Sequence, residues 1–315
     1  MVDTLTSKEI NLSNVKLIVY SEELAKEDLT GHISELIANV DIRPKTTIAI
    51  CKGKTEDFLS EVSPILEASP ARFYELFFAS TDYTNRTISS ELIDFYTAAQ
   101  SIHCDAHAIV LESKKQNSNS KESAKEDSNS SKEASEIQTT GIAVFNGGTM
   151  IDEVPIIQAL PHLIIKNDLN HGVIGIPDIY SGDKTVSLSI TPSRKNSIKV
   201  TYKNNIPYVK IVSHIDAHIL SSESTTDYID KENRNMLKES LEKEISKQVY
   251  DYLNILKGLN SDIVGIGSYA KNTCLTWEEF EKLNWKENFK NCIFAVKTVV
   301  NLNVSETAFH RLPNV

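Results

Sequence analysis

The first third of the chain alternates short apolar runs with amphipathic stretches. Three runs have the length of buried strands: Val15–Tyr20, Thr46–Cys51 and Ala106–Glu112. Helical spacing of apolar residues predicts helices over Leu29–Val40, Thr55–Leu66, Ala71–Ser80 and Ser89–Ile102. Ser21 before Glu22 and Glu23 indicates a further helix start, because a serine hydroxyl caps free N–H groups there. Alternating strands and helices predict a mixed α/β domain over residues 1–112.

The segment Ser113–Glu136 has a different composition. It contains no apolar side chain larger than alanine, and its five lysines balance five acidic residues. Such a stretch buries too little apolar surface to offset the entropy of ordering it. We predict a disordered Ser/Lys/Glu linker or an expanded surface loop over residues 113–136. A tract of regulatory phosphorylation sites is the alternative.

A small α/β region is predicted over residues 137–182. Asn146 and Gly147 separate the apolar runs Gly141–Phe145 and Thr149–Val154, a pattern typical of a hairpin because both residues tolerate positive φ. A helix with an irregular start over Pro155–Asp168 and a strand over Val173–Ile176 follow.

The C-terminal α+β domain is predicted over residues 183–315. A meander of three strands is expected: Val186–Thr191, Ser197–Tyr202 and Tyr208–Ile219. Apolar residues at helical spacing over Leu237–Leu256 predict a long helix with one buried stripe, ended by Gly258. A Trp277–Leu283 helix and a final strand, Ile293–Val304, complete the domain. The predicted fold class is α+β or mixed α/β, with mixed sheets flanked by helices and the meander packed on the long helix.

Charge and cysteine usage exclude several classes of protein. The formal net charge of -10 and pI of about 5.4 argue against a general nucleic-acid binder and against docking on anionic lipid by charge alone. The four cysteines are scattered without a CxxC pair, which disfavours a zinc ribbon or a disulfide scaffold and favours free, mostly buried thiols. No uninterrupted apolar run reaches the ~18 residues that a membrane span requires.

Three short segments are candidates for chemistry. His214, Asp216 and His218 would share one face of a strand and hold a metal ion; an amphipathic strand with this polar set in water is the favoured interpretation. The segment His103–His107 contains Cys and His ligand types, but ordinary polar residues between a helix and a strand are the favoured interpretation here too. Gly265–Gly267 lacks the context of a dinucleotide loop and predicts a tight turn into or out of a strand.

A family resemblance emerges from short motifs taken in order. They are KLIVYSEELA at Lys16–Ala25, Ile42–Pro44, IAICKGKTEDFL at Ile48–Leu59, GIAVF at Gly141–Phe145, GVIGIP at Gly172–Pro177, DIVGIG at Asp262–Gly267, and the stretch Trp277–Trp285. In order and spacing the chain resembles the Ger(x)C family, the C subunit of nutrient germinant receptors in endospore-forming bacteria.

The resemblance implies a non-enzymatic protein of three mixed α/β domains, with no catalytic, cofactor-binding or metal-binding residue. It also implies A and B subunits as partners and a place on the outer face of the spore inner membrane. Members of the family begin with a lipoprotein signal and a lipidated cysteine. VKLIVYSEELA starts almost at once in this chain, so the lipid anchor and part of the first sheet are expected to be missing.

Three hypotheses follow. The first is a non-catalytic subunit of a spore germinant receptor complex that is needed for nutrient-triggered germination. The second is a metal-dependent enzyme that uses His214, Asp216 and His218. The third is a soluble module that binds a small molecule.

Overall fold

The structure, a computed structural model, describes residues 12–61, 70–79, 85, 87–115 and 135–303. The chain divides into two compact units. Unit 1 comprises Met1–Ala79, Ser89–Ser101 and Ala106–Ile156; unit 2 comprises Ser80–Ile88, Ile102–Asp105 and Ile157–Val315. Each unit contains a mixed sheet flanked by helices, which confirms the predicted fold class.

Unit 1 is built on a sheet with the order β1-β2-β3-β4-β5. The strands are β1 Leu17–Ser21, β2 Thr47–Cys51, β3 His107–Lys115, β4 Ser135–Asn146 and β5 Thr149–Pro155. The first three run parallel, whereas β4 is antiparallel to both β3 and β5. The predicted hairpin is confirmed, with Gly147 at φ 59 in its turn.

Helices cover this sheet in the described part of unit 1. They are α1 Glu22–Ala25, α2 Thr30–Ala38, α3 Thr55–Glu61, α4 Pro70–Ala79 and α5 Leu92–Ala99. The predicted cap is confirmed, because the Leu24 N–H donates to Ser21 Oγ at 3.2 Å. In the core, the rings of Phe95 and Phe145 pack edge to face with centroids 4.7 Å apart. The predicted Thr55–Leu66 helix is observed as far as Glu61, and its remainder lies outside the described residues.

The predicted linker 113–136 lies mostly outside the described residues. Both ends of the predicted linker nevertheless belong to strands, because Lys115 at the end of β3 is paired with Ser135 at the start of β4. This pairing places the chain on both sides of the linker in one sheet. The structure therefore places Ala106–Ile156, on both sides of the linker, in unit 1, whereas the sequence predicts boundaries at 112, 136 and 182.

Unit 2 contains a sheet with the order β6-β7-β8-β9. Its strands are β6 Gly172–Pro177, β7 Thr185–Lys203, β8 Ile206–Ser222 and β9 Ile293–Asn303. Only β8 and β9 run parallel among these pairs. The prediction of separate strands Val186–Thr191 and Ser197–Tyr202 is wrong, because both belong to β7. Register shifts between Pro192 and Ser197 absorb the proline and the polar residues after it, as β-bulges do.

The long helix of unit 2 is confirmed and is longer than predicted. The helices are α6 Ala159–Lys166, α7 Lys231–Leu259, α8 Gly267–Lys271, α9 Trp277–Leu283 and α10 Trp285–Asn288. The Asp230 carboxylate caps α7 by accepting from the Glu232 and Asn233 N–H groups. The prediction that Gly258 ends α7 is wrong: Gly258 lies within the last turn, and Asn260 at φ 50 provides the left-handed cap.

Side chains of α7 protect the outer edge of β9. Ser246 Oγ accepts from the Thr298 N–H and Glu242 Oε1 accepts from the Val300 N–H, each at 2.9 Å. An uncovered edge strand offers unpaired N–H groups to other chains. With α7 in place, a foreign strand would have to displace these side chains before it paired with β9.

Candidate functional site

The predicted metal triplet lies on an amphipathic strand. Ile215, Ala217 and Ile219 of β8 are buried, whereas His214, Asp216 and His218 lie on the opposite face and reach solvent. This confirms the favoured interpretation of the segment.

Neighbouring side chains occupy two members of this triplet. Arg194 Nη2 lies 2.8 Å from His214 Nε2, and the Asn301 amide donates to Asp216 Oδ1 at 3.3 Å. Burial and the Arg194 charge both lower the pKa of His214. A guanidinium so close to the ring disfavours a metal cation at the same nitrogen. Within the described residues, no group of three or more His, Cys, Asp or Glu side chains is arranged to hold a metal ion.

The second candidate segment is divided between different surroundings. Asp105 is buried in unit 2, whereas His107 is buried in β3 of unit 1. Burial, followed by the charges of Lys271 and Lys286, lowers the pKa of His103. Of the four cysteines, Cys51 and Cys292 are buried, and Cys104 and Cys274 are half-buried.

A buried carboxylate organises the turn that follows α7. Asp262 Oδ1 accepts from the Ile266 N–H at 3.0 Å, and Oδ2 accepts from the Gly267 N–H at 2.7 Å. The same Oδ2 accepts from Trp285 Nε1 at 2.9 Å. One side chain thereby fixes the start of α8 and the position of the indole.

The glycines of this turn have separate physical reasons. Gly265 has φ 75, a conformation that glycine adopts without steric cost. At Gly267 an added Cβ would lie 1.9 Å from the His103 carbonyl oxygen and 2.5 Å from Trp285 Nε1. The predicted tight turn therefore exists, but it leads into the helix α8 instead of a strand.

A second carboxylate completes the cluster, which we call the Asp262 cluster: Asp105, Asp262, Gly267, Trp285 and Lys286. The Asp105 N–H donates to the Asp262 carbonyl at 3.0 Å, and the Asp262 N–H donates to Asp105 Oδ2 at 2.9 Å. Lys286 Nζ lies 2.9 Å from Asp105 Oδ1. Asp105 and Asp262 are far apart in the sequence, and their two mutual hydrogen bonds fix their relative positions.

The Asp262 carboxyl has a raised pKa. Burial, with a smaller contribution from the charge of Asp105, raises the pKa to about 6 against the opposing effect of three hydrogen-bond donors. A raised carboxyl pKa is typical of general acids. Asp262, however, is only 1% exposed and its oxygens are engaged by protein donors. The geometry supports a structural role instead of contact with a substrate.

A further buried carboxylate, Asp178, organises the loops beside the start of α7. Its oxygens accept from the hydroxyls of Ser224, Thr226 and Tyr228 and from the N–H groups of Tyr180 and Ser181. Burial opposes ionisation, but these hydrogen bonds prevail and hold the pKa of Asp178 well below its usual range. We call this set the Asp178 cluster. Sequence analysis missed it, although a lone aspartate directly after a strand proline was a local signal.

A cavity of about 360 Å³ lies beside the Gly265 turn in unit 2. It is lined by Ile165, Lys166, Val264, Gly265, Ser268, Tyr269 and Asn272. Lys166 is the charged group of this lining, and its Nζ lies 3.9 Å from Asp168 Oδ2. The lining therefore contains no cluster of charged side chains that could bind a charged ligand together.

The described helices include none that is both long and apolar enough to cross a membrane. The longest, α7, carries charged residues along its exposed sides. Its apolar stripe is buried within unit 2.

Comparisons with known proteins agree with the motif order. Residues 140–306 match the family model described as Spore germination B3/GerAC like, C-terminal. Residues 1–113 match the model described as spore germination protein N-terminal domain. The chain is 21% identical over 304 residues to the putative spore germination protein YfkR of Bacillus subtilis (strain 168), which covers 96% of this chain and 74% of the relative.

A solved structure shows the same fold. The crystal structure of the GerBC protein superposes with a TM-score of 0.63 at 12% identity, covering 91% of this chain and 78% of that chain. At this identity the likeness is evidence of fold alone. The two family models supply the sequence relationship, and they confirm the resemblance inferred from the motifs. The chain belongs to the GerAC-like family of spore germination proteins.

Proposed function

We propose that this chain is a non-catalytic subunit of a nutrient germinant receptor complex and is needed for nutrient-triggered spore germination. The observation that carries the proposal is the pair of family matches, which follow one another along residues 1–113 and 140–306. The proposed partners are a many-span B subunit and an A subunit with soluble domains. The proposed location is the outer face of the spore inner membrane, reached at least in part through these partners.

The two buried carboxylates support the non-catalytic part of the proposal. Groups with displaced pKa values are the first candidates for catalysis. In this chain Asp178 and Asp262 are both buried, and each is engaged by several donors of the protein itself. Their hydrogen bonds fix loops and helix starts, which suits a protein that presents rigid surfaces to partners.

A gene deletion in the spore-forming host tests the germination role. We expect spores without the gene to lose dipicolinate release in response to at least one nutrient, and a wild-type copy to restore it. Spores that respond normally to every nutrient in a broad panel of amino acids and sugars would contradict the role.

Affinity purification tests the receptor part separately. A tagged chain is expected to co-purify with the A and B subunits from detergent-solubilised spore inner membranes. A chain that restores germination in the deletion strain but purifies without either subunit would leave the germination role standing and overturn the receptor assignment.

A further inference from the structure

Positive charge gathers on the outward face of the unit 2 sheet. Lys199 of β7 lies directly opposite Lys210 of β8, and Lys297 of β9 is paired with Val212, which lies two residues from Lys210. All three lysines are exposed. We call these three residues the lysine face.

Acidic side chains are absent from the surrounding rows of the sheet, within the part that the structure describes. The outward rows consist of Thr201, Tyr208 and Ile293; Lys199, Lys210 and Ala295; Ser197, Val212 and Lys297; and Arg194, His214 and Val299. The nearest acid along β8 is Asp216, which accepts from Asn301. The chain has 43 acidic and 33 basic residues, so a patch of this kind runs against its overall charge.

The lysine face does not contribute to the stability of the sheet through ion pairs. No carboxylate among the described residues lies within 4.0 Å of any of its three ammonium groups. Like charges directly opposite on neighbouring strands destabilise a sheet. The pair Lys199 and Lys210 therefore opposes folding slightly, and the stability of the free chain does not account for it.

We propose that the lysine face is a docking surface for an acidic segment of a partner protein. Adjacent strands lie about 4.8 Å apart and same-face side chains of an extended segment repeat about every 6.7 Å, so neighbouring carboxylates reach neighbouring ammonium groups. Ser197, Thr201 and Ala295 next to the lysines have small side chains. The proposal rests on the charges of the lysine face and on the register of β7, β8 and β9. It does not depend on the proposed role in a receptor complex.

A protein partner fits better than an anionic membrane. The chain as a whole carries a net charge of -10, which repels an extended anionic plane but opposes a local acidic segment much less. Val212 and Val299 next to the lysines are half-buried, and exposed Ile293 is the large aliphatic side chain at the end of this face, so the face offers a bilayer few apolar anchors. Electrostatic docking of this kind governs association rate and specificity and weakens with salt.

Fluorescence anisotropy with a labelled oligoglutamate peptide tests the proposal at low and physiological salt. The triple variant Lys199→Gln, Lys210→Gln and Lys297→Gln is compared with a control of equal charge change, Lys243→Gln, Lys247→Gln and Lys282→Gln, at exposed lysines of α7 and α9. We expect the first variant to bind at least about fivefold more weakly than wild type and the control to differ by less than about twofold. Equal losses in both variants would overturn the proposal.

Two further measurements distinguish a protein-docking surface from a membrane-binding face and from lysines that serve the fold. Vesicles of equal parts phosphatidylglycerol and phosphatidylcholine should not bind in a manner that depends on the three lysines; lysine-dependent binding to vesicles without binding to the peptide would assign the face to a membrane and overturn the proposal. The single variant Lys210→Gln should keep or raise the melting temperature, because it removes a like-charge pair. A clear fall in melting temperature would mean that the lysines stabilise the sheet and would also overturn the proposal.

Discussion

Each of the two carboxylate clusters of unit 2 is centred on a buried aspartate, but the pKa values of the two aspartates shift in opposite directions. Asp178 is 4% exposed and Asp262 is 1% exposed, and each fixes a loop next to one end of α7. Hydrogen bonds hold the pKa of Asp178 well below its usual range, whereas burial raises the pKa of Asp262 to about 6. Two aspartates with similar structural roles thus contribute to stability with opposite dependence on pH.

The difference follows from the number and nature of the neighbours. Asp178 collects three hydroxyl and two backbone donors, and these favour the ionised form. Asp262 has three donors but lies deeper and shares its site with Asp105. The depth of burial, the hydrogen-bond donors and the neighbouring charges together decide the charge state of a carboxyl group.

The largest expected effect comes from breaking the Asp262 cluster at its closest contact. Gly267→Ala places a Cβ against the His103 carbonyl, a backbone atom that cannot move aside like a side chain. We expect a loss of at least ~3 kcal/mol in the free energy of unfolding, or failure to fold. Urea unfolding followed by circular dichroism measures it.

Gly258→Ala is the matched control for this substitution. Gly258 lies inside α7 with open space around it, so alanine should stabilise the chain by ~0.5–1 kcal/mol. If the two variants unfold at the same urea concentration, the close packing at Gly267 does not govern the stability of the cluster.

The second prediction compares the two carboxylates directly at neutral pH. Asp178→Asn removes the charge and replaces one of the two carboxylate oxygens that accept from these hydroxyls by an NH2 group, so it should cost ~3 kcal/mol or more. Asp262→Asn also loses hydrogen bonds but removes a buried charge beside Asp105, so we expect only ~1–2 kcal/mol. Chemical unfolding of both variants at pH 7 gives the order, and a larger loss for Asp262→Asn would refute it.

The third prediction isolates one donor of the Asp178 cluster. Tyr228 is fully buried and its hydroxyl donates to Asp178 Oδ2, so Tyr228→Phe should cost ~1.5–3 kcal/mol. Tyr180 is 65% exposed and its hydroxyl donates to Asn233 Oδ1, so Tyr180→Phe should cost no more than ~0.5 kcal/mol. Thermal unfolding separates them; comparable losses would show that the hydroxyl of Tyr228 matters no more than a surface hydroxyl.

Sequence patterns predicted those parts of the fold that depend on local chemistry. The period of the apolar residues located α7, the Asn-Gly pair located the hairpin, and Ser21 located a helix start. The motif order identified the family. These features are encoded within a few residues of one another, and a single sequence displays them.

Features that depend on tertiary contacts escaped prediction. Two predicted strands form one strand, β7, because β-bulges near Pro192 allow the chain to continue its pairing with β8 beyond the proline. Asp105 and Asp262 are 157 positions apart in the chain, and no local pattern links them. The lysine face required the register of three strands, because its members lie at unrelated places in the sequence. The end of α7 at Asn260 was missed because Gly258 is the commoner signal.

The smallest expected effect is a pH dependence that distinguishes the two clusters. The folded pKa of Asp262 is about 6, above its usual value near 3.8, so the folded state takes up this proton before the unfolded state does. The contribution of Asp262 therefore becomes more favourable as pH falls from 7 to 5, by about 1 kcal/mol, whereas Asp178 contributes nothing to this change because its folded pKa lies below the window.

Comparing variants with wild type at both pH values isolates this contribution. The loss caused by Asp262→Asn should be about 1 kcal/mol larger at pH 5 than at pH 7, because only the wild type gains from protonation. The loss caused by Asp178→Asn should be equal at the two pH values. The contribution of Asp178 to stability is lost progressively as the pH falls from the ordinary pKa of an aspartate toward the lower pKa of the folded carboxyl. An Asp262→Asn loss that is equal at pH 5 and pH 7 would mean that the carboxyl stays ionised in the folded chain, and the contrast between the clusters would disappear.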